Sequence, residues 1–142
     1  MARTTVYNHI TTEEKIAEIN ENNTWLINEF LEYLASIDRA PQTLRSYKSD
    51  LHIFFVWNID FNNNKDFVKL TKREIAKFQN YAINEWHWSP RRVRRVKSTL
   101  SSMSLFIENI LDDEEGYENF RPIIKKIESP CLLYTSDAAD EA

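Results

Sequence analysis

Residues 89–110, SPRRVRRVKSTLSSMSLFIENI, decide the reading of this chain, because one helix drawn through them carries an apolar face and a cationic face. Ser89 has the hydroxyl that caps a helix start, and Pro90 suits the first turn, where a missing N–H costs nothing. Val93, Val96, Leu100, Met103, Ile107 and Ile110 align at helical spacing into one stripe, the mark of a helix docked on a core. Arg91, Arg94 and Arg95 point away from it, with Arg92 and Lys97 on the flanks. These five cations repel one another, and they gather at the positive end of the helix dipole, which favours anions. An anionic partner relieves both costs. A polyphosphate backbone fits, since guanidinium forks match phosphate oxygens and also read base edges such as guanine. The same residues read equally as a solvated basic face.

The chain has 142 residues, 42% apolar and 13% aromatic, enough for one folded domain with a core. A single glycine, four prolines and helix-period apolar spacing without hairpin signals predict an all-α protein. No apolar run reaches the ~20 residues of a membrane span, and the polar N-terminus lacks the core of a signal peptide, so a cytoplasmic protein with no membrane partner is expected. The lone Cys131 cannot form an internal disulfide, and His9, His52 and His87 have no metal-ligand spacing, so neither metal nor cofactor is expected.

Five further segments have helical character. Thr11 and Glu14 have capping-box spacing and predict a short helix over residues 12–19, broken by Asn20–Asn23. From Thr24, Leu26, Ile27, Phe30, Leu31, Leu34 and Ile37 form a core stripe that ends before Pro41. Over residues 42–57, Leu44, Tyr47, Leu51, Phe54 and Phe55 face inward, while Arg45, Lys48, Ser49 and His52 fall on the opposite side. Residues 58–69 read as a loop with Phe61, Phe67 and Val68 as loose anchors. Thr71 and Glu74 open a helix over residues 72–86 that buries Ile75, Phe78, Ala82 and Trp86. The acidic stretch Asp112–Glu115 reads as a solvated hinge, and a last amphipathic turn or short helix over residues 120–127 closes the domain.

The last twelve residues, CLLYTSDAADEA, have no helix period and no lysine or arginine. They resemble the in-frame translation of a sequencing-library adapter, and residues 131–142 are expected to be a non-native read-through tail; the other reading is a natural disordered tail. Setting aside Asp137, Asp140 and Glu141 leaves 18 basic against 19 acidic residues, a net charge of −1, so any nucleic-acid site must be a local patch.

Taken in order, WLINEFLEYLAS, APQTLRSYKSDLHIFFVW, LTKREIAKF and SPRRVRRVKSTLSSMSLFIENI resemble the core-binding domain of the tyrosine recombinases, the phage-integrase family. The most specific element is T-L-x-x-Y-x-x-D-L-x-x-F, matched by Thr43, Leu44, Tyr47, Asp50, Leu51 and Phe54. The resemblance implies a four-helix SAM-like bundle over residues 24–130, with residues 1–23 as a lead-in that carries a short helix, and a short helix at its C-terminal end. It implies double-stranded DNA as partner, through Thr43, Arg45, Lys48 and His52 on one helix and Ser89, Arg91, Arg92, Arg94, Arg95 and Lys97 on the other. Tyr47 lies on the inward stripe and reads as core. In that family a separate C-terminal domain cuts and rejoins DNA, and other protomers join on the duplex. No position here matches its catalytic residues and Tyr134 has no arginine or histidine arranged around it, so the chain as given is not expected to be an enzyme, the catalytic domain being expected to begin near Ser129-Pro130. The rival function is a helical protein-interaction adaptor anchored by Trp57, Trp86 or Trp88, its basic face merely solvated.

Overall fold

The computed structural model describes residues 10–129. The residues before Ile10, and Pro130 with the tail that holds Cys131 and Tyr134, lie outside the described residues. Among the described residues five α-helices follow in order after Ile10: α1 (Glu13–Ala17), α2 (Glu21–Ser36), α3 (Pro41–Phe61), α4 (Lys72–Asn84) and α5 (Pro90–Ile110). Two 3₁₀ turns, Phe67–Lys69 and Ile124–Lys126, complete the described secondary structure, and no strand occurs among the described residues. The protein is all-α, with α2 to α5 as the expected four-helix bundle. Of the turn or short helix expected over residues 120–127, the turn forms, as one 3₁₀ turn over Ile124–Lys126.

Four of the five helix starts carry a side-chain cap, while α3 opens on Pro41 after Ala40 without one. Ser89 Oγ accepts from the Arg92 N–H at 3.2 Å, and Thr71 with Glu74 forms the full capping box of α4. The cap of α1 is Thr12, one residue later than expected, with its hydroxyl accepting from Lys15 N–H. Asn20 does more than break a helix: its Oδ1 accepts from the Asn23 N–H at 2.7 Å, so α2 begins at Glu21 rather than Thr24. Asparagine is among the best residues for that position, because its short amide reaches the orphan N–H groups of the first turn.

α3 is the central helix. It packs against α2 and α5, receives α1 on its flank, and α4 packs on α5. Leu51 and every residue from Ile53 to Asn58 are buried, so the stretch 53–58 of α3 is enclosed on all sides. The cause is the unbroken apolar run IFFVW at residues 53–57, which leaves no polar face for water. α3 also runs one turn beyond the expected end, because Phe61 stacks on Trp57 with ring centroids 5.2 Å apart. Around it lie Phe54, Phe78, Trp86 and Trp88, whose edge-to-face contacts fill the core between α3, α4 and the turn before α5.

The connection after α3 is an ordered brace. Asn63 and Asn64 take the left-handed conformation, with φ of 57° and 55°, which asparagine tolerates better than most residues. Asn23, buried in α2, donates to the Lys65 carbonyl at 2.9 Å and accepts from the Phe67 N–H at 2.8 Å. Asn58 donates to the same Lys65 carbonyl, and Asn20 reaches the Asn64 carbonyl and Asp66. The brace turns Phe67 inward, where it is buried rather than a loose anchor.

Replacing Asn23 by Ala leaves the buried Phe67 N–H without an acceptor and should lower the unfolding free energy by about 2–3 kcal/mol. Leu51→Ala, at a fully enclosed position, should cost about 2–5 kcal/mol. Denaturant unfolding of both variants checks these values, and a loss below about 0.5 kcal/mol, the usual size of a surface change, would refute the assignment.

Candidate nucleic-acid interface

The apolar stripe of α5 docks as its spacing predicts: Val93, Val96, Leu100, Met103 and Ile107 are fully buried, while Ile110 at the helix end is exposed. With that face fixed, Arg91 and Arg94 stand in solvent. They line an open groove of about 760 Å³ between α5 and the C-terminal segment, with Arg95, Ser98 and Lys125.

The other three cations of the segment have different surroundings. The Arg92 guanidinium lies 4.3 Å from the centroid of the Trp88 ring, a cation–π contact, and its burial lowers its pKa from the ordinary arginine value. Arg95 Nη2 donates to Asp50 Oδ1 at 2.7 Å, although its side chain remains 56% exposed. Lys97 is only 5% exposed, and its Nζ donates to the Ile127 carbonyl at 2.8 Å and to Ser129 Oγ at 2.7 Å. Lys97 therefore leaves the exposed cationic face and ties the C-terminal segment to α5, with burial, and then Arg94, lowering its pKa. Its place in sequence gave the signal: it lies four residues after Val93 and three before Leu100, at the edge of the stripe.

On α3, Arg45 and Lys48 are exposed as expected, and Thr43 is half-buried. Tyr47 stacks on Phe30, with ring planes 7° apart, in keeping with a core role. His52 does not join the outward face. It lines a small cavity with Ile16, Ile19, Thr24 and Ile27, between α1, α2 and α3, and its Nδ1 has no hydrogen-bond partner among the described residues. The reason is that α1 packs over this part of α3, with Ile16 and Ala17 beside the histidine, and so covers the side that the helical period assigns to water.

The exposed parts of α3 and α5 meet. Gln42, Arg45, Ser46 and Ser49 of α3 and Arg95 of α5 surround an open polar hollow of about 350 Å³. Beneath it lies Asp50, absent from the expected site residues, 2% exposed and holding both Arg95 and the Thr99 hydroxyl, the latter at 2.9 Å from Oδ2. A lone acid between the inward residues Tyr47 and Leu51 is a readable sign of a buried, paired carboxylate.

Trp57 and Trp88 are buried, and Trp86 packs edge-on against Tyr81 and Phe78, so none of the three stands free as an adaptor's anchor. Among the described residues no group of three or more histidines, cysteines and acids could hold a metal ion, and no helix is long and apolar enough to cross a membrane.

Comparison with known proteins agrees with this architecture. The family profile of the phage integrase N-terminal SAM-like domain matches residues 26–116. The SPbeta prophage-derived recombinase-like protein YomM of Bacillus subtilis (strain 168) is 31% identical over 111 residues, covering 78% of this chain and 32% of that protein. The chain thus spans about a third of that relative's length. No solved structure gives a significant match.

Removing Arg95 strands a buried carboxylate, so Arg95→Ala should cost about 2 kcal/mol of stability, while Arg91→Ala and Arg94→Ala should stay within about 0.5 kcal/mol. Denaturant unfolding of the three variants separates the two groups. A pH series tests His52, whose pKa is lowered from 6.5 by burial and then by Lys48. Because the unfolded chain takes up this proton first, the histidine's contribution is intact above pH 6.5 and lost as pH falls below it. The thermal midpoint of His52→Gln should fall less than the parent's between about pH 7 and about pH 5.

Proposed function

Because the chain belongs to the phage integrase N-terminal SAM-like domain family, we propose that it binds double-stranded DNA in a sequence-directed manner, as the core-binding module of a site-specific tyrosine recombinase. The observation that carries this reading is the joined face of α3 and α5, where Arg45 and Arg95 border one polar hollow and Arg91 and Arg94 stand in solvent beside it. Its residues provide what duplex binding needs: free guanidinium forks, hydroxyls able to bond phosphate oxygens, and a rigid base beneath them.

Residues 24–130 act as the binding module in this reading, with residues 1–23 as lead-in. Arg91, Arg94, Arg95, Arg45 and Lys48 carry the phosphate contacts, and Thr43 lies at the edge of the same face. Ser89 supports them through its cap, and Arg92 through Trp88. Cutting and rejoining belong to a catalytic domain elsewhere in the parent protein, and further protomers meet this one on the duplex. Lys97 and His52 act within the fold rather than on DNA.

If four or five of these cations neutralise phosphates, log K should fall with log salt at a slope of about −4, and each phosphate-contacting arginine removed should reduce its magnitude by about one. An arginine that reads a base edge would instead cost about 1–3 kcal/mol at one sequence position and leave the slope nearly intact. Salt titrations of duplex binding for the parent, Arg91→Ala, Arg94→Ala and Lys97→Met make the test, with the last expected to keep the parent slope. A folded parent that does not bind at low salt would return this face to the solvated role.

A further inference from the structure

We propose that Asp50 is a positioning residue: it fixes the Arg95 guanidinium at the mouth of the α3/α5 hollow, where Arg95 and Arg45 together seat one backbone phosphate of the duplex. The inference rests on the DNA-binding reading above and adds a defined phosphate seat within that face.

Three observations carry it. First, the carboxylate is held at both oxygens, Oδ1 by Arg95 Nη2 at 2.7 Å and Oδ2 by Thr99 Oγ1 at 2.9 Å, and it is buried, so it cannot swing away. Second, a guanidinium has five N–H donors and only an Nη2 bond goes to Asp50, while the Arg95 side chain stays 56% exposed and lines the hollow. Third, the hollow is lined by Gln42, Arg45, Ser46, Ser49 and Arg95, with no carboxylate among them. Two guanidinium groups from different helices, with serine hydroxyls between them, match the non-bridging oxygens of one phosphodiester. An arginine already immobilised by the protein loses less freedom on binding than one that must be ordered by the ligand.

The consequence runs against simple charge counting. Removing a negative charge from beneath a DNA-facing surface should strengthen binding if only net charge counts. If Asp50 positions Arg95, removing that charge should weaken binding.

The experiment measures duplex affinity across a salt series for the parent, Asp50→Asn, Arg95→Lys and Thr99→Val, with the thermal midpoint recorded for each. Asp50→Asn is expected to bind about five- to ten-fold more weakly and to lose about one unit of salt slope, although no cation has been removed. Arg95→Lys, which keeps the charge but loses the fork, should weaken binding similarly. Thr99→Val frees one carboxylate oxygen without changing any charge, should weaken binding in the same direction, and serves if Asp50→Asn does not fold. A folded Asp50→Asn that binds as tightly as the parent, or tighter, with the parent slope overturns the seat while DNA binding stands. In the absence of a folded Asp50→Asn, parent-like affinity in Thr99→Val does the same. A parent that fails to bind duplex overturns both.

Discussion

A carboxylate can be taken out of water only where donors replace its hydration, and Asp50, 2% exposed in the central helix, finds them on α5, at Arg95 and Thr99. Arg95 and Thr99 lie one helical turn apart, so both donors can reach the carboxylate only in one register of α5 against α3. The apolar stripe of α5 specifies which face docks, but apolar contacts are non-directional. The Asp50 pair adds the direction and brings Arg45 and Arg95 to one hollow.

The same constraint sorts the cations of residues 91–97. Arg91 and Arg94 are free, Arg92 is held by Trp88, Arg95 by Asp50, and Lys97 is turned inward to the backbone of Ile127. A surface of this kind combines mobile charges, which attract a polyanion from a distance, with fixed ones, which define its register. The tie from Lys97 to residues 127 and 129 also joins the C-terminal segment to α5, beyond the stretch 26–116 that the family profile matches.

Polar side chains serve the opposite end of the bundle too. Asn20, Asn23 and Asn58 satisfy backbone carbonyls of the loop after α3, and Asn64 of that loop donates to the Glu18 carbonyl before α2, so that the turn is not left to water alone. A buried loop is tolerable only when its N–H and C=O groups have such partners.

The helical class, the capping residues Ser89 and Thr71, the buried stripe of α5 and the exposed positions of Arg45, Lys48, Arg91 and Arg94 were legible in the sequence, because they depend on local periodicity and on side chains bonding their own first turn. The enclosure of α3 was partly legible in its IFFVW run. His52, Lys97, Asn23 and Asp50 were read less well, or not at all, because a polar residue's burial depends on what another element brings to it. α1 covers His52, the chain end supplies acceptors to Lys97, the loop after α3 completes Asn23, and α5 neutralises Asp50. Helical period determined which residues share a face, since 3.6 residues per turn is a property of the backbone alone. Which polar groups could leave water was decided by the tertiary structure, because desolvation is tolerable only once distant partners arrive together.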